Sequence, residues 1–477
     1  MPNVSTQDPA TTSANRTGSM IETRNIDYIP ENERHGHVFS QFTLWFGANL
    51  QITAIVTGAL AVVLGGDTYW SLIGLFIGQI LGASVMALHA VQGPRLGLPQ
   101  MISSRAQFGV YGAVIPLCLA CVMYVGFSAS GTVLAGQSLA KLVQISDSSG
   151  ILLFGAIIIL ITLLGYRIIH GLGKVASLLG ILLFLYLFFR ILVEHDISAL
   201  LANRHFSLSM FLLAISLSSS WQIAFCPYVS DYSRYLPRQT SGKKTFLAVW
   251  AGTIIGTQIS MTLGVLAATL AGKGFAGHEV SYIVGLGTSG TIAALLYFSI
   301  FFGKLTLTTL NAYGSFMSLA TIICGFKKTV RISSGWRFAF ILLMVVLSTS
   351  IALLGERSFL HAFTQFLLFL LAFFVPWSAI NLMDYYVISK GKYDIPALSE
   401  PGGMYGRWNK IGITTYALGV LVQLPFVSNG FFSGPLVYLF DDNDISWFIG
   451  WIFTALFYLA INRVAPKPVL TASRYPQ

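Results

Sequence analysis

Charge, and acid above all, is what this sequence lacks. Only 18 of its 477 residues are Asp or Glu, and charged residues of both signs make up 10% of the chain, where a soluble domain carries about 25%. That shortage excludes an ordinary soluble enzyme or binding module. Cysteine is scarce as well. Cys118, Cys121, Cys226 and Cys324 all lie within or at the end of apolar stretches. The CxxC spacing of Cys118 and Cys121 has no His or Cys beside it, so a core role is read in place of metal or redox work. The first 38 residues contain no apolar h-region and read as a cytoplasmic tail, not a signal peptide.

What is present is apolar length. Hydrophobic residues make up 55% of the chain and the mean hydropathy is +0.72. Runs near the ~20 residues needed to cross a bilayer recur about twelve times, at 40–64, 69–91, 112–142, 150–166, 172–193, 207–229, 245–271, 286–323, 335–354, 359–386, 411–428 and 445–463. The expected fold class is an all-α polytopic membrane protein of about twelve transmembrane helices. The net charge of +10 does not indicate nucleic acid, because the basic residues sit in alternate loops. Arg95 and Arg105, Arg167 and Lys174, Arg234 to Lys244, Lys327 to Arg337 and Lys390 to Lys410 follow the even-numbered spans. Asp67, Asp147, Glu194, Glu279, Glu356 and Asp442 mark the opposite loops. This bias predicts a cell (inner) membrane protein with both termini cytoplasmic. The expected division is a tail at 1–38, a ten-helix core at 39–386, two further helices at 387–464 and a tail at 465–477.

Two spans interrupt their own pattern. Span 6 runs into Ser218, Ser219, Ser220, Trp221, Gln222 and Pro227, and span 1 holds Gly47, Asn49 and Gln51 near its middle. Proline removes a backbone donor, and backbone freed at membrane depth is tolerated only against protein or a water-filled cavity. Spans 1 and 6 hold equivalent places in two groups of five, the pattern of an inverted repeat with a binding site at the repeat interface. Asn49, Gln51 and Gln222 would supply donors and acceptors there. In span 8, Lys304 is costly at depth, and it is read as snorkelling, binding substrate or acting as a built-in cation. Thr308 and Thr309 offer the oxygen ligands that a small hard cation prefers.

Four stretches in order carry a specific resemblance: ETRNIDYIPENERHG before span 1, WFGAN within it, GPRLGLPQMISSRAQFGVYG after span 2 and PYVSDYSRYLP after span 6. They resemble the nucleobase-cation-symport-1 family, of the purine–cytosine permease type. The resemblance implies a leucine-transporter-like 5+5 inverted repeat plus two helices, importing a nucleobase or related planar heterocycle with a cation. It implies that Phe127 stacks on the substrate and that an amide is often found where this chain has Gly131. It also implies that Thr308 and Thr309 join the carbonyls of Gly47, Leu50 and Leu305 around Na⁺, and that Asn311 supplies a substrate amide.

The expectation is therefore a secondary active symporter, coupled to Na⁺ and without a cofactor, working in the lipid bilayer. The substrate would lie between Phe127 and Trp221 with Asn49, Gln51, Gln222 and Asn311 on its edges. Trp221 and Gln222 are free to exchange roles, with Phe225 as a third choice of aromatic. Cytosine, purine, uracil, allantoin and hydantoin all fit, and oligomeric state stays open. The alternatives are proton coupling through Lys304 and, from another class, a membrane-embedded enzyme.

Overall fold

The computed structural model describes residues 27–164, 167–202, 204–287, 289–327, 334–428, 432–440, 443–465 and 470–476. Residues 1–26 of the expected tail, and Lys328 and Arg331 of one basic loop, lie outside the described residues.

Each of the twelve apolar stretches is helical over most of its described length. The first is split into α1 (Val38–Asn49) and α2 (Ile52–Val63), which meet at 59°. Then come α3 (Thr68–Ala90), α4 (Val114–Val143), α5 (Asp147–Leu164), α6 (Arg167–Glu194) and α7 (Leu208–Ile223). The second half contains α8 (Gly242–Ala271), the short α9 (Glu279–Gly287), α10 (Gly290–Lys327), α11 (Ser334–Gly355) and α12 (Phe359–Leu382), followed by α13 (Lys410–Leu421) and α14 (Ser446–Val464). Some of the helix starts carry a side-chain cap that accepts from the first turn. Asp67 accepts the Trp70 N–H at 2.7 Å, and Asn409 accepts from Ile411 and Gly412. Among the described residues six helices are long and apolar enough to cross a membrane, and the bent pair makes a seventh.

The helices sort into two packed groups. In one, α1 and α2 pack on α8, while α3 packs on α7 and α8; in the other, α4 holds α10, α5 and α11. The first and second spans thus pair with the sixth and seventh, and the third and fourth with the eighth and ninth. That correspondence is what a repeated five-helix unit produces. α12 packs against α7, and α14 packs behind α12.

Close approach within the first group rests on two glycines. A Cβ on Gly58 would overlap the backbone of Met261, and one on Gly264 the carbonyl of Ile55, so α2 and α8 touch backbone to backbone. Gly264→Val is expected to lower the melting temperature in detergent or abolish folding, since overpacking costs about 1–3 kcal/mol or more. Gly285→Ala meets nothing within 4 Å and should melt like the parent protein.

At one end of the bundle polar bonds tie the connecting segments to the helices. Residues 92–108 fold into short buried helices, and the Gln100 N–H donates to Asp231 Oδ1 at 2.8 Å. The Arg34 guanidinium, from the segment before α1, donates to the carbonyls of Ile29 (2.8 Å) and Pro94 (2.6 Å). Asp384, at the end of α12, accepts from Gln107, Tyr393 and Tyr458.

Candidate functional site

A broken helix at membrane depth must account for its freed carbonyls. At the α1–α2 break the side chains do so. Asn49 Nδ2 donates to Trp45 O at 2.7 Å, Gln51 Nε2 to Ala48 O at 2.8 Å, and Ser260 Oγ to Asn49 O at 2.8 Å. Gly47 O accepts the Leu50 N–H at 3.1 Å. Asn49 Oδ1 takes the Trp221 indole N–H at 2.7 Å, which ties this break to the end of α7.

That end is a break too. α7 stops at Ile223, turns through Cys226 and Pro227, and resumes as the short helix Val229–Ser233. The three serines before the stop all donate to carbonyls: Ser218 to Ala214, Ser219 to Gly78 and Ser220 to Leu367. Gln222 points into α8, accepting from Thr253 at 2.7 Å and donating to Thr257 at 3.1 Å.

Between the two breaks and α10 lies a cavity of about 770 Å³. It runs from Ile283 of α9 and Leu296 of α10 to Thr43, Asp231, Tyr235 and Thr321 at the end where the segment before α1 docks. Of the residues expected in the site, Gly47, Leu50, Gln51, Phe127, Trp221, Phe225, Lys304, Thr308 and Asn311 line it; Asn49, Gln222, Leu305 and Thr309 do not. Two expectations are corrected here. Asn49 and Gln222 bond to neighbouring helices and do not line the cavity. Successive helical residues lie about 100° apart, so with Trp221 facing the cavity Gln222 must face α8.

The aromatic wall also differs from a sandwich. Phe127 and Trp221 meet edge to face, with centroids 5.8 Å apart and planes at 90°, and Trp221 meets Phe225 at 87°. A flat ring cannot slide between rings already in contact. The three form a corner, with ring faces meeting ring edges at near right angles.

α10 is unbroken from Gly290 to Lys327, so no helix break in span 8 frees the Leu305 carbonyl. That carbonyl instead accepts the Thr309 hydroxyl at 2.8 Å. Lys304 reaches across the cavity to the first break, where its Nζ donates to Gln51 Oε1 at 2.6 Å and Thr53 Oγ1 at 2.7 Å. Its stem passes over Gly131: a Cβ there would lie 3.4 Å from Lys304 Cδ and 3.3 Å from Thr308 Oγ1.

Sequence reasoning missed Thr53, Trp45, Tyr124 and Tyr228, all of which line the cavity. Tyr124 was within reach, since it precedes Phe127 by three residues and shares its helix face. Thr53 gave no such signal, because its role depends on a lysine 251 positions away. Gln51→Ala removes the partner of Ala48 O and of Lys304 together. It should weaken ligand binding about tenfold or more while leaving any ion dependence in place, as read by ligand-induced thermal shift.

A profile described as permease for cytosine/purines, uracil, thiamine, allantoin matches residues 28–450. A putative purine-cytosine permease of Bacillus subtilis (strain 168) is 38% identical over 443 residues, covering 93% of this chain and 96% of that protein. The inward-facing structure of Mhp1 superposes with a TM-score of 0.77 at 18% identity, covering 97% of this chain and 99% of that one. Mhp1 closed on bromovinylhydantoin, described as a nucleobase-cation-symport-1 family transporter, superposes at 0.72 with 19% identity, covering 94% and 96%. The helical arrangement is therefore the leucine-transporter-like fold.

Proposed function

The chain belongs to the family of permeases for cytosine/purines, uracil, thiamine and allantoin, and from that premise we propose that it is a secondary active symporter importing a small planar heterocycle. The observation that carries the reading is the cavity between two broken helices, with the Phe127, Trp221 and Phe225 corner beside Gln51 and Asn311. Aromatic faces select a flat ring, while the amides meet its polar edge. Mhp1 holds bromovinylhydantoin, a heterocycle of this kind.

Alternate-loop basic residues orient the bundle with the segment before α1 on the cytoplasmic side of the cell membrane. The cavity reaches that end, so the conformation is inward-facing in this reading. Sodium is the coupling ion assigned first. The carbonyls of Gly47 and Leu50 and the Thr308 hydroxyl on the cavity wall, with the Leu305 carbonyl and Thr309 hydroxyl that bond to each other in this conformation, are hard oxygen donors, the kind Na⁺ takes. The Lys304 bonds to Gln51 and Thr53 favour a second reading, in which the ammonium is itself the cation and coupling is to protons.

Reconstituted protein should accumulate a labelled nucleobase in liposomes and return it chemically unchanged. Recovery of a converted product would point to the membrane-embedded enzyme. Uptake that never saturates would point to a channel.

A further inference from the structure

The corner beside the first break is built from donors. Lys304 has three N–H groups and no acceptor; two are spent on Gln51 Oε1 and Thr53 Oγ1, and the third has no acceptor among the described residues. Those contacts also fix the Gln51 amide. An ammonium can only donate and the Ala48 carbonyl can only accept, so Oε1 faces Lys304 and Nε2 faces Ala48. The Gln51 oxygen is filled by Lys304 and Thr53. Only one of its N–H groups is spent, on Ala48 O.

The charge is unbalanced as well. Lys304 is 5% exposed, lies on the cavity wall, and has only neutral oxygens as partners among the described residues. A buried ammonium without an anion is costly. Gly131 leaves the room for its stem, so the lysine is seated and not merely tolerated.

We propose that Lys304 and the free Gln51 N–H select a heterocycle with a negatively charged, acceptor-only edge, such as an ionisable imide flanked by two carbonyls or a ring carboxylate. An exocyclic amino group at this corner would set donor against donor, and the ring nitrogens and carbonyl that adenine and cytosine could turn to it instead are neutral acceptors, which an ammonium rewards less than an anionic edge. The inference rests on the transporter reading and names the substrate class of the same cavity.

The test is a binding panel on the purified full chain: xanthine and uracil for the imide, orotate for the carboxylate, adenine and cytosine for amino heterocycles. At least one acidic probe is expected to bind about tenfold or more tighter than adenine and cytosine, the range of a charge-assisted hydrogen bond. Lys304→Met should erase that preference while leaving weak stacking, and Lys304→Arg should retain part of it. Gln51→Glu places a carboxylate against the ammonium and should turn the preference towards the amino rings. The imide and carboxylate arms decide which source supplies the negative edge. Equal or tighter binding of adenine or cytosine by the parent protein, or an equal loss for every probe in Lys304→Met, overturns the inference and leaves the transporter reading standing. Failure of every probe to bind folded protein overturns both.

Discussion

Trp221→Ala should abolish uptake while the protein remains folded in the membrane. Two losses combine at this residue. The indole supplies a wall of the aromatic corner, worth about 0.5–1.5 kcal/mol beyond the area it buries. Its N–H also donates to Asn49 Oδ1, and removing it leaves that buried acceptor unpaired at about 1–3 kcal/mol. The first loss, with the area removed, weakens binding about tenfold or more, and the second lowers stability and loosens the tie between the two breaks. Trp221→Phe keeps the wall and loses only the bond to Asn49, so it should retain measurable transport at lower affinity. Phe127→Ala removes one ring that makes no hydrogen bond and should weaken binding about tenfold. Labelled-substrate uptake in liposomes, with gel filtration to check folding, reads all three. Parent affinity in both alanine variants would remove the aromatic corner from the site.

The sequence made the fold legible because its signals were long and redundant. Apolar runs of span length, basic loops on alternate sides and two interrupted spans in equivalent places all pointed to one arrangement. Trp221, Phe225 and Gln51 were legible as cavity residues because they sit at or beside those interruptions, whereas Asn311, on the unbroken α10, was reached only through the family resemblance. The functions of Asn49 and Gln222 were not. Both are amides next to a break, and whether such an amide faces a ligand or seals a carbonyl depends on a neighbouring helix. Here α8 supplies that neighbour through Thr253 and Thr257. The perpendicular rings were out of reach for the same reason, since interplanar angle is set by side-chain packing across α4 and α7.

In the sodium reading two cations would share one break. Lys304 and Thr308 lie on one face of α10, both beside Gly131, while Thr309 is turned about 140° from Lys304 and holds the Leu305 carbonyl. A Na⁺ at the Gly47, Leu50, Leu305, Thr308 and Thr309 oxygens would meet the ammonium's field. At about 6 Å and an effective dielectric of about 20 the repulsion is near 3 kcal/mol, roughly a hundredfold in affinity. An anionic heterocycle on Lys304 would cancel most of that repulsion, so substrate and ion would each strengthen the other's binding. Linkage makes the two effects equal. Na⁺ is accordingly expected to bind weakly to the empty protein and up to a hundredfold tighter with substrate present, by calorimetry or thermal shift. Lys304→Met should bind Na⁺ tightly with or without substrate and lose the coupling. Thr309→Ala should lose the Na⁺ response and keep weak substrate binding. If transport instead ignores Na⁺ and follows a pH gradient that Lys304→Met disconnects, sodium is excluded and the ammonium itself carries the coupling charge.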